Sequence, residues 1–285
     1  MTAAAEIHPK TVRGVTRIVR NAKAASSLLA TTSTAEKNAA LGAIAEALRS
    51  NTDRIVKAND ADIAAGTENG MSDALLDRLR LDADRIAAIA DSVEEVIDLA
   101  DPVGDVVVGR TLPNGIRLTQ NRVPMGVIGA IYEARPNVTV DIAVLALKSG
   151  NASVLRGGSA AQNSNTEIIS TLRRAVESAG LPADSIGGID QYGRQGAHVL
   201  MHARDYVDLL IPRGGADLIN MVVQESIVPV IETGVGNVHM FVDSTATVKT
   251  AVDLVLNSKT HRPSVCTSLE TLLVHEKAAK RVLPK

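Results

Sequence analysis

Residues 126–158 read GVIGAIYEARPNVTVDIAVLALKSGNASVLRGG, and this stretch decides the fold. GVIGAIYE is a short, continuous apolar run, the pattern of a strand covered on both faces. Pro136 blocks helix immediately before it and Asn137 falls where a helix begins. Helical apolar spacing then runs to Gly150, and ASVLRGG is a second buried strand. Downstream the alternation continues: a helix over SAAQNSNTEIISTLRRAVESAG, then YVDLLIPRGG leading into helix ADLINMVVQES. VPVIETG and NVHMFVD are expected to add two more strands. Short apolar strands alternating with amphipathic helices predict an α/β fold, a doubly wound and mostly parallel sheet. Ligands of such sheets bind beyond the carboxyl ends of the strands. That directs attention to YEARPN, LRGGS, IPRGG and ETGVGN.

Upstream the texture differs. The first hundred residues are predicted to be helical, with Ser33 and Glu36 spaced as a capping box and Ser72 and Asp82 as caps. Next come two β-rich runs flanking LPNG, whose Pro113, Asn114 and Gly115 suit a hairpin turn. This arm, about residues 104–123, is too small to stand alone and is expected to pair with another sheet, such as one in a partner subunit. Near the chain end, TATVKTAVDLVLNSK leads as a helix into NSKTHRPSVCTSLETLLV. Residues 1–256 are thus expected to hold the N-terminal helices and the cofactor domain. Residues 257–285 are expected to be the start of a second α/β domain.

Composition excludes several classes of function. A net charge of −2 provides no field for nucleic acid or anionic membrane. Three Tyr and one Phe, with no Trp, cannot build base-stacking platforms. One cysteine excludes an internal disulfide, and neither a leader-like apolar run nor a membrane-length one is present. The expectation is a soluble cytoplasmic protein.

Two strand-to-helix turns carry basic and glycine residues: Arg156, Gly157 and Ser159 in the first, Arg213, Gly214 and Gly215 in the second. Glycine allows close backbone approach, and a helix start beside an arginine suits phosphate, so the pair suggests a dinucleotide. The plain alternative is two tight turns with solvated arginines. Asn137 is either a helix cap or an oxyanion donor. Cys266, the lone cysteine, is either a small core residue or a nucleophile whose thiolate is favoured by His261, Arg262 and helix-start amides. His198 and His202 lie one turn apart, but Val199 stands where a zinc protease needs glutamate, so no metal site is expected.

The segments VPMGVIGAIYEARPNVTVDIAVLALKSGNASVLRGGSAAQNSN, LLIPRGGADLINMV, ETGVGNVHMFVD and NSKTHRPSVCTSLETLLV together resemble the γ-glutamyl phosphate reductases of the aldehyde dehydrogenase superfamily. The resemblance runs from about residue 10 to the end and implies an aldehyde dehydrogenase-like cofactor domain. It implies Cys266 as nucleophile, Asn137 as oxyanion donor, and Arg156 as the partner of the 2′-phosphate of NADP(H). It implies Arg213, Gly214 and Gly215 at the pyrophosphate, and Arg135 is expected at the substrate phosphate. The implied reaction is NADPH-dependent reduction of L-glutamyl 5-phosphate to glutamate 5-semialdehyde in proline biosynthesis, by a homo-oligomer in contact with glutamate 5-kinase. Glu232 matches the water-activating glutamate of hydrolytic relatives, which a phosphate reductase does not need. Two other readings stay open: an oxidative aldehyde dehydrogenase using Glu232, and an inactive nucleotide-binding fragment. The family continues for roughly a third of its length beyond AAKRVLPK, so the domain that carries Cys266 is expected to be incomplete, with an uncovered apolar strand.

Overall fold

The computed structural model describes residues 7–133, 135–234, 236–263 and 265–285. Ala134, Val235 and Ser264, within YEARPN, ETGVGN and RPSVC, lie outside the described residues. The chain divides into two compact units, Met1–Glu232 and Thr233–Lys285.

Five helices open the first unit: α1 (Pro9–Leu29), α2 (Thr34–Ser50), α3 (Thr52–Glu68), α4 (Asp73–Leu79) and α5 (Ala83–Asp98). The capping box forms as expected: Ser33 Oγ accepts the Glu36 N–H, and the Glu36 carboxylate accepts the Ser33 N–H at 2.8 Å. Asp82 caps α5 by accepting from Arg85 N at 2.8 Å, whereas Ser72 precedes α4 without a capping bond. Leu41, Ile44 and Leu48 of α2 and Ile86, Ala90 and Val93 of α5 are buried where these two helices pack. At the end of this layer Lys37 Nζ, 1% exposed, meets Asp101 Oδ2 at 2.5 Å. A lysine so deeply buried needs that carboxylate.

The arm is β1 (Val106–Thr111) paired antiparallel with β2 (Arg117–Asn121), joined by a turn in which Gly115 adopts φ +85°. That left-handed conformation is the reason glycine stands there. Every residue of both strands is exposed, including Val106, Val107, Val108 and Leu118.

Four parallel strands form the central sheet in the order β5-β4-β3-β6. They are β3 (Val127–Tyr132), β4 (Ala152–Arg156), β5 (Ile186–Gly188) and β6 (Leu209–Arg213). The crossovers carry α6 (Pro136–Lys148), α7 (Gln162–Ser178) and α8 (Gly193–Met201), and α9 (Ala216–Glu225) follows β6. Gly187 and Gly188 show that both faces are covered. A Cβ on Gly187 would meet Ile18 of α1 at 2.8 Å, and one on Gly188 would meet Ile169 of α7 at 2.7 Å. Successive strand residues point to opposite faces, so α1 lies on one side of the sheet and α7 on the other. VPVIETG falls short of a full strand: only Val230 bridges to Leu210, beside β6.

Helix α7 is tied to the N-terminal helices by one buried carboxylate. Asp62 of α3, 3% exposed, accepts from Asn163 N and Nδ2 and from Ser164 N and Oγ, at 2.6–3.1 Å. These are first-turn donors of α7 that the helix itself cannot satisfy.

In the second unit β7 (His239–Val242) pairs in parallel with β8 (Thr271–Val274), and α10 (Val248–Thr260) and α11 (Glu276–Val282) pack on them. NVHMFVD, expected within residues 1–256 as a strand of the cofactor domain, is β7 here. Its pairing with β8 gathers it into the second unit, so the compact units divide earlier. The core here is small: Val242, Ala251, Ala278 and Val282. The paired residues Phe241 and Leu273 remain 60% and 48% exposed.

Replacing Asp62 by Ala strands the two buried donors of Ser164 and frees the part-buried ones of Asn163, and unpaired buried donors cost more than a hydrogen bond contributes. Asp62→Ala is expected to lower unfolding stability by about 3 kcal/mol or more in urea titration. Disrupting the exposed pair Lys249–Asp253 is expected to change stability by less than about 0.5 kcal/mol.

Candidate active site

The carboxyl ends of the strands bring the sequence-selected residues of the first unit together. In the sheet register Arg156 of β4 stands beside Ile131 of β3, and Arg213 of β6 stands beside Tyr132. The two arginines therefore flank the end of β3, roughly 10 Å apart at the backbone from two interstrand spacings. Arg213 is exposed, while Arg156 is half-buried.

The turn after Arg156 is built differently from the expectation of free helix-start amides. Gly157 N–H donates to Asp190 Oδ1 at 2.6 Å. A Cβ on Gly157 would lie 2.0 Å from Asn165 Nδ2 and 3.0 Å from Tyr132 Cε2, so the glycine is required by packing inside the protein. A 3-10 turn over Ser159–Ala161 precedes α7, and the amides of Asn163 and Ser164 belong to Asp62. Ser159 is exposed and makes no side-chain capping bond. Beneath the turn, Tyr132 Oη and Thr139 Oγ1 lie 2.7 Å apart, and Thr139 Oγ1 donates to Asn165 Oδ1 at 2.9 Å. Burial raises the Tyr132 pKa, aided by the Asp190 charge, so the phenol stays protonated.

The second turn repeats this arrangement. Gly215 N–H, at the start of α9, donates to Glu133 Oε1 at 3.1 Å, and a Cβ on Gly214 would meet Glu133 Cδ at 2.8 Å. Asn137 is not the helix cap. Arg135 holds the cap position of α6, and Asn137, within its first turn, donates from Nδ2 to Asp141 Oδ2 at 3.1 Å. Burial raises the pKa of Asp141, while Asn137 and the charge of Arg213 act against that rise. Glu232 is exposed, just beyond the Val230 bridge.

In the second unit Cys266 is exposed, on a turn between α10 and β8. His261 is the C-cap of α10, and Leu269 N–H closes back on Ser258 O at 3.0 Å. The helix-start amides considered for the thiolate are not part of this arrangement, because Cys266 follows the end of one helix and precedes a strand. Access to the sulfur comes from exposure. In the first unit a cleft of about 740 Å³ opens along the β5 edge, lined by Arg17, Ile169, Arg173, Asp184, Gly188 and Asp190. Arg173 there is already committed to Ile186 O and Asp184. Among the described residues no cluster of three or more His, Cys, Asp or Glu could hold a metal, and no helix is long and apolar enough to cross a membrane.

Arg156 fits an anionic cofactor group. Its Nε is buried with no hydrogen-bond partner among the described residues, which leaves it available to an acceptor from a ligand or a water. Burial lowers its pKa, as does the like charge of Arg194, while Asp190 and Tyr132 raise it. No residue type in the sequence marked Asp190, Glu133, Thr139 or Asn165 as part of this end of the sheet.

Asp190 is 7% exposed, and burial pushes its carboxyl up from 3.8 to about 6, against the pull of Gly157 N–H, Arg156 and Asn165. A carboxyl raised on folding holds its proton to higher pH in the folded chain than in the unfolded one. That preference is fully present below about pH 4 and is lost as pH rises through about 6. A shift of some two units corresponds to about 3 kcal/mol. Asp190→Asn keeps an acceptor for Gly157 but removes the titration. Relative to this variant, the unsubstituted chain is expected to lose stability between pH 4 and 7, by up to about 3 kcal/mol in denaturant titrations.

The aldehyde dehydrogenase family model matches residues 2–285. The γ-glutamyl phosphate reductase of Kineococcus radiotolerans is 61% identical over 270 residues, covering 95% of this chain and 62% of that protein. The one from Clavibacter michiganensis is 57% identical, over 94% of this chain and 62% of its own length. A crystal structure of the Thermotoga maritima γ-glutamyl phosphate reductase superposes with a TM-score of 0.86 at 44% identity, covering 96% of this chain and 65% of that one. The chain thus spans less than two thirds of the length of these relatives. With the family model matched from residue 2 to residue 285, the chain belongs to the aldehyde dehydrogenase family.

Proposed function

We propose that this chain is the cofactor-binding and nucleophile-bearing part of an NADPH-dependent reductase. Its substrate is L-glutamyl 5-phosphate, and its products are L-glutamate 5-semialdehyde and phosphate, the semialdehyde being a precursor of proline. The observation that carries this reading is the half-buried Arg156 with its unpartnered Nε at the end of β4, beside β3 and across it from Arg213. The reductases that share 48–61% of its residues supply the substrate class.

In this reading Arg156 holds the 2′-phosphate and Arg213, Gly214 and Gly215 hold the pyrophosphate. Glu133 releases Gly215 N–H when the phosphate arrives. The bound nicotinamide supplies a hydride. Cys266, as thiolate, attacks the acyl carbon; the bond to the phosphate oxygen breaks and phosphate leaves with the electron pair, giving a thioester on sulfur. Asn137 stabilises the oxyanion through its side-chain amide, and Arg135 receives the departing phosphate. After reduction the thiohemiacetal collapses, returning the thiolate and freeing the aldehyde. Glu232 has no role in these steps, because activated water would hydrolyse the thioester. The exposed arm of β1 and β2 fits addition to a sheet of a second copy.

Two outcomes test this reading. Arg156→Ala is expected to weaken NADPH roughly ten- to a hundredfold, as loss of a charge-assisted contact worth about 1.5–3 kcal/mol. NADH binding is expected to change little, and equal loss of both cofactors would assign Arg156 another role. The second test joins the chain to the remaining third of a relative and follows phosphate- and NADP-dependent oxidation of glutamate semialdehyde, the reverse reaction. Cys266→Ser in that background is expected to abolish turnover while leaving NADPH affinity unchanged. More than a few per cent of residual turnover would remove Cys266 from the chemistry. The 285-residue chain assayed alone is expected to show negligible turnover beside the extended one.

A further inference from the structure

We propose that Asp190 sets how strongly Arg156 attracts an anionic group, and thereby how far the site prefers a 2′-phosphorylated nucleotide over its unphosphorylated counterpart. The proposal rests on the cofactor reading above and extends it to a residue with no assigned part in it. Asp190 lies between β5 and α8, and its Oδ1 is 2.6 Å from the amide of Gly157, the residue that follows Arg156. That bond fixes the carboxylate to the same turn that presents the arginine, so the two charges cannot separate without breaking the turn.

The charged groups around Arg156 come from three elements. Asp190 faces it from the β5–α8 loop, Arg194 from the first turn of α8, and Tyr132 from β3. Tyr132 in turn meets Thr139 of α6, which donates to Asn165 of α7, both neutral polar groups. Near neutral pH the sum is two positive charges and one negative, with the phenol neutral. Asp190 therefore opposes the attraction that the arginines would exert on a phosphate dianion. The hydrogen bond to Gly157 does not require that charge, because an asparagine oxygen also accepts, although more weakly than a carboxylate. A buried carboxylate pushed up to about 6 is ionised at neutral pH at a cost in stability. A charge kept at such a cost, where a neutral acceptor would serve, points to use of the charge itself.

The test compares 2′,5′-ADP with 5′-AMP, two probes that differ only in the 2′-phosphate, by calorimetry on the purified 285-residue chain. Asp190→Asn is expected to tighten 2′,5′-ADP roughly tenfold by removing one opposing charge in a half-buried site. Binding of 5′-AMP is expected to change by less than about twofold, since it presents no 2′-phosphate to Arg156. The gain is expected to vanish in the Asp190→Asn/Arg156→Ala double variant. If Arg156→Ala weakens 2′,5′-ADP but Asp190→Asn leaves it unchanged, or tightens both probes alike, the proposal falls and the cofactor reading stands. If Arg156→Ala has no effect on 2′,5′-ADP, or the probe does not bind at all, both fall. Thermal melts check the fold of each variant, and Asp190→Ser, which keeps a hydroxyl acceptor for Gly157, replaces Asp190→Asn should that variant not fold. Loss of the fold in both would make Asp190 purely structural and overturn the proposal.

Discussion

The site depends first on one buried carboxylate. Asp62 takes four first-turn donors of α7, two from Asn163 and two from Ser164. Through it the N-terminal helices lock the orientation of α7 against the sheet. Asn165 is the next residue along, and its oxygen receives Thr139, which in turn meets Tyr132 at the end of β3. Asn165 is also what limits position 157 to glycine. A continuous polar path therefore runs from the helical layer, through α7, to the turn that presents Arg156. Asp62, Ser164, Asn165, Thr139 and Tyr132 are all buried, so the oxygens in this path are met by protein donors and not by solvent, which stiffens the network.

The same device recurs at both basic turns. Asp190 holds the amide of Gly157 and Glu133 holds that of Gly215. Backbone amides that a sequence pattern assigns to phosphate are met by the protein's own carboxylates. The two cases differ in burial. Asp190 is enclosed and fixed, whereas Glu133 is exposed and able to swing into solvent at little cost. An anion arriving at the second turn competes with an exposed carboxylate. At the first turn the amide of Gly157 is already spent, and the guanidinium of Arg156 is the group with unused capacity.

Much of this architecture was legible because it rests on local signals. The apolar runs of β3 and β4, the capping box at Ser33, the turn at Gly115 and the strand–helix alternation are each contained in a few neighbouring residues. The carboxylates were not legible, because their partners are distant in sequence. Asp62 sits a hundred residues from Asn163 and, within α3, reads as one more polar helix residue. Asp190 reads as a turn residue after a three-residue strand too short to announce itself. The register that places Arg156 and Arg213 on either side of β3 is likewise a property of pairing. NVHMFVD carries a strand pattern but nothing that names its neighbour, so its membership in the second sheet emerges only from the pairing of β7 with β8.

The two units also differ in how firmly each can hold a functional group. The first unit surrounds its strands on both faces, with Val127, Ala130, Val154 and Leu155 wholly buried. Among the described residues of the unit carrying Cys266, the buried apolar cluster between two strands and two helices is Val242, Ala251, Ala278 and Val282. A two-stranded sheet with so small a core is marginal in water. Its exposed pair, Phe241 and Leu273, presents an apolar face of the kind that further chain in a longer relative, or another surface, would cover. Catalysis by a thiolate requires the sulfur to be held within a fraction of an ångström relative to its substrate. A small unit of this kind can expose a thiol, but by itself it offers little packing to fix the position of the sulfur.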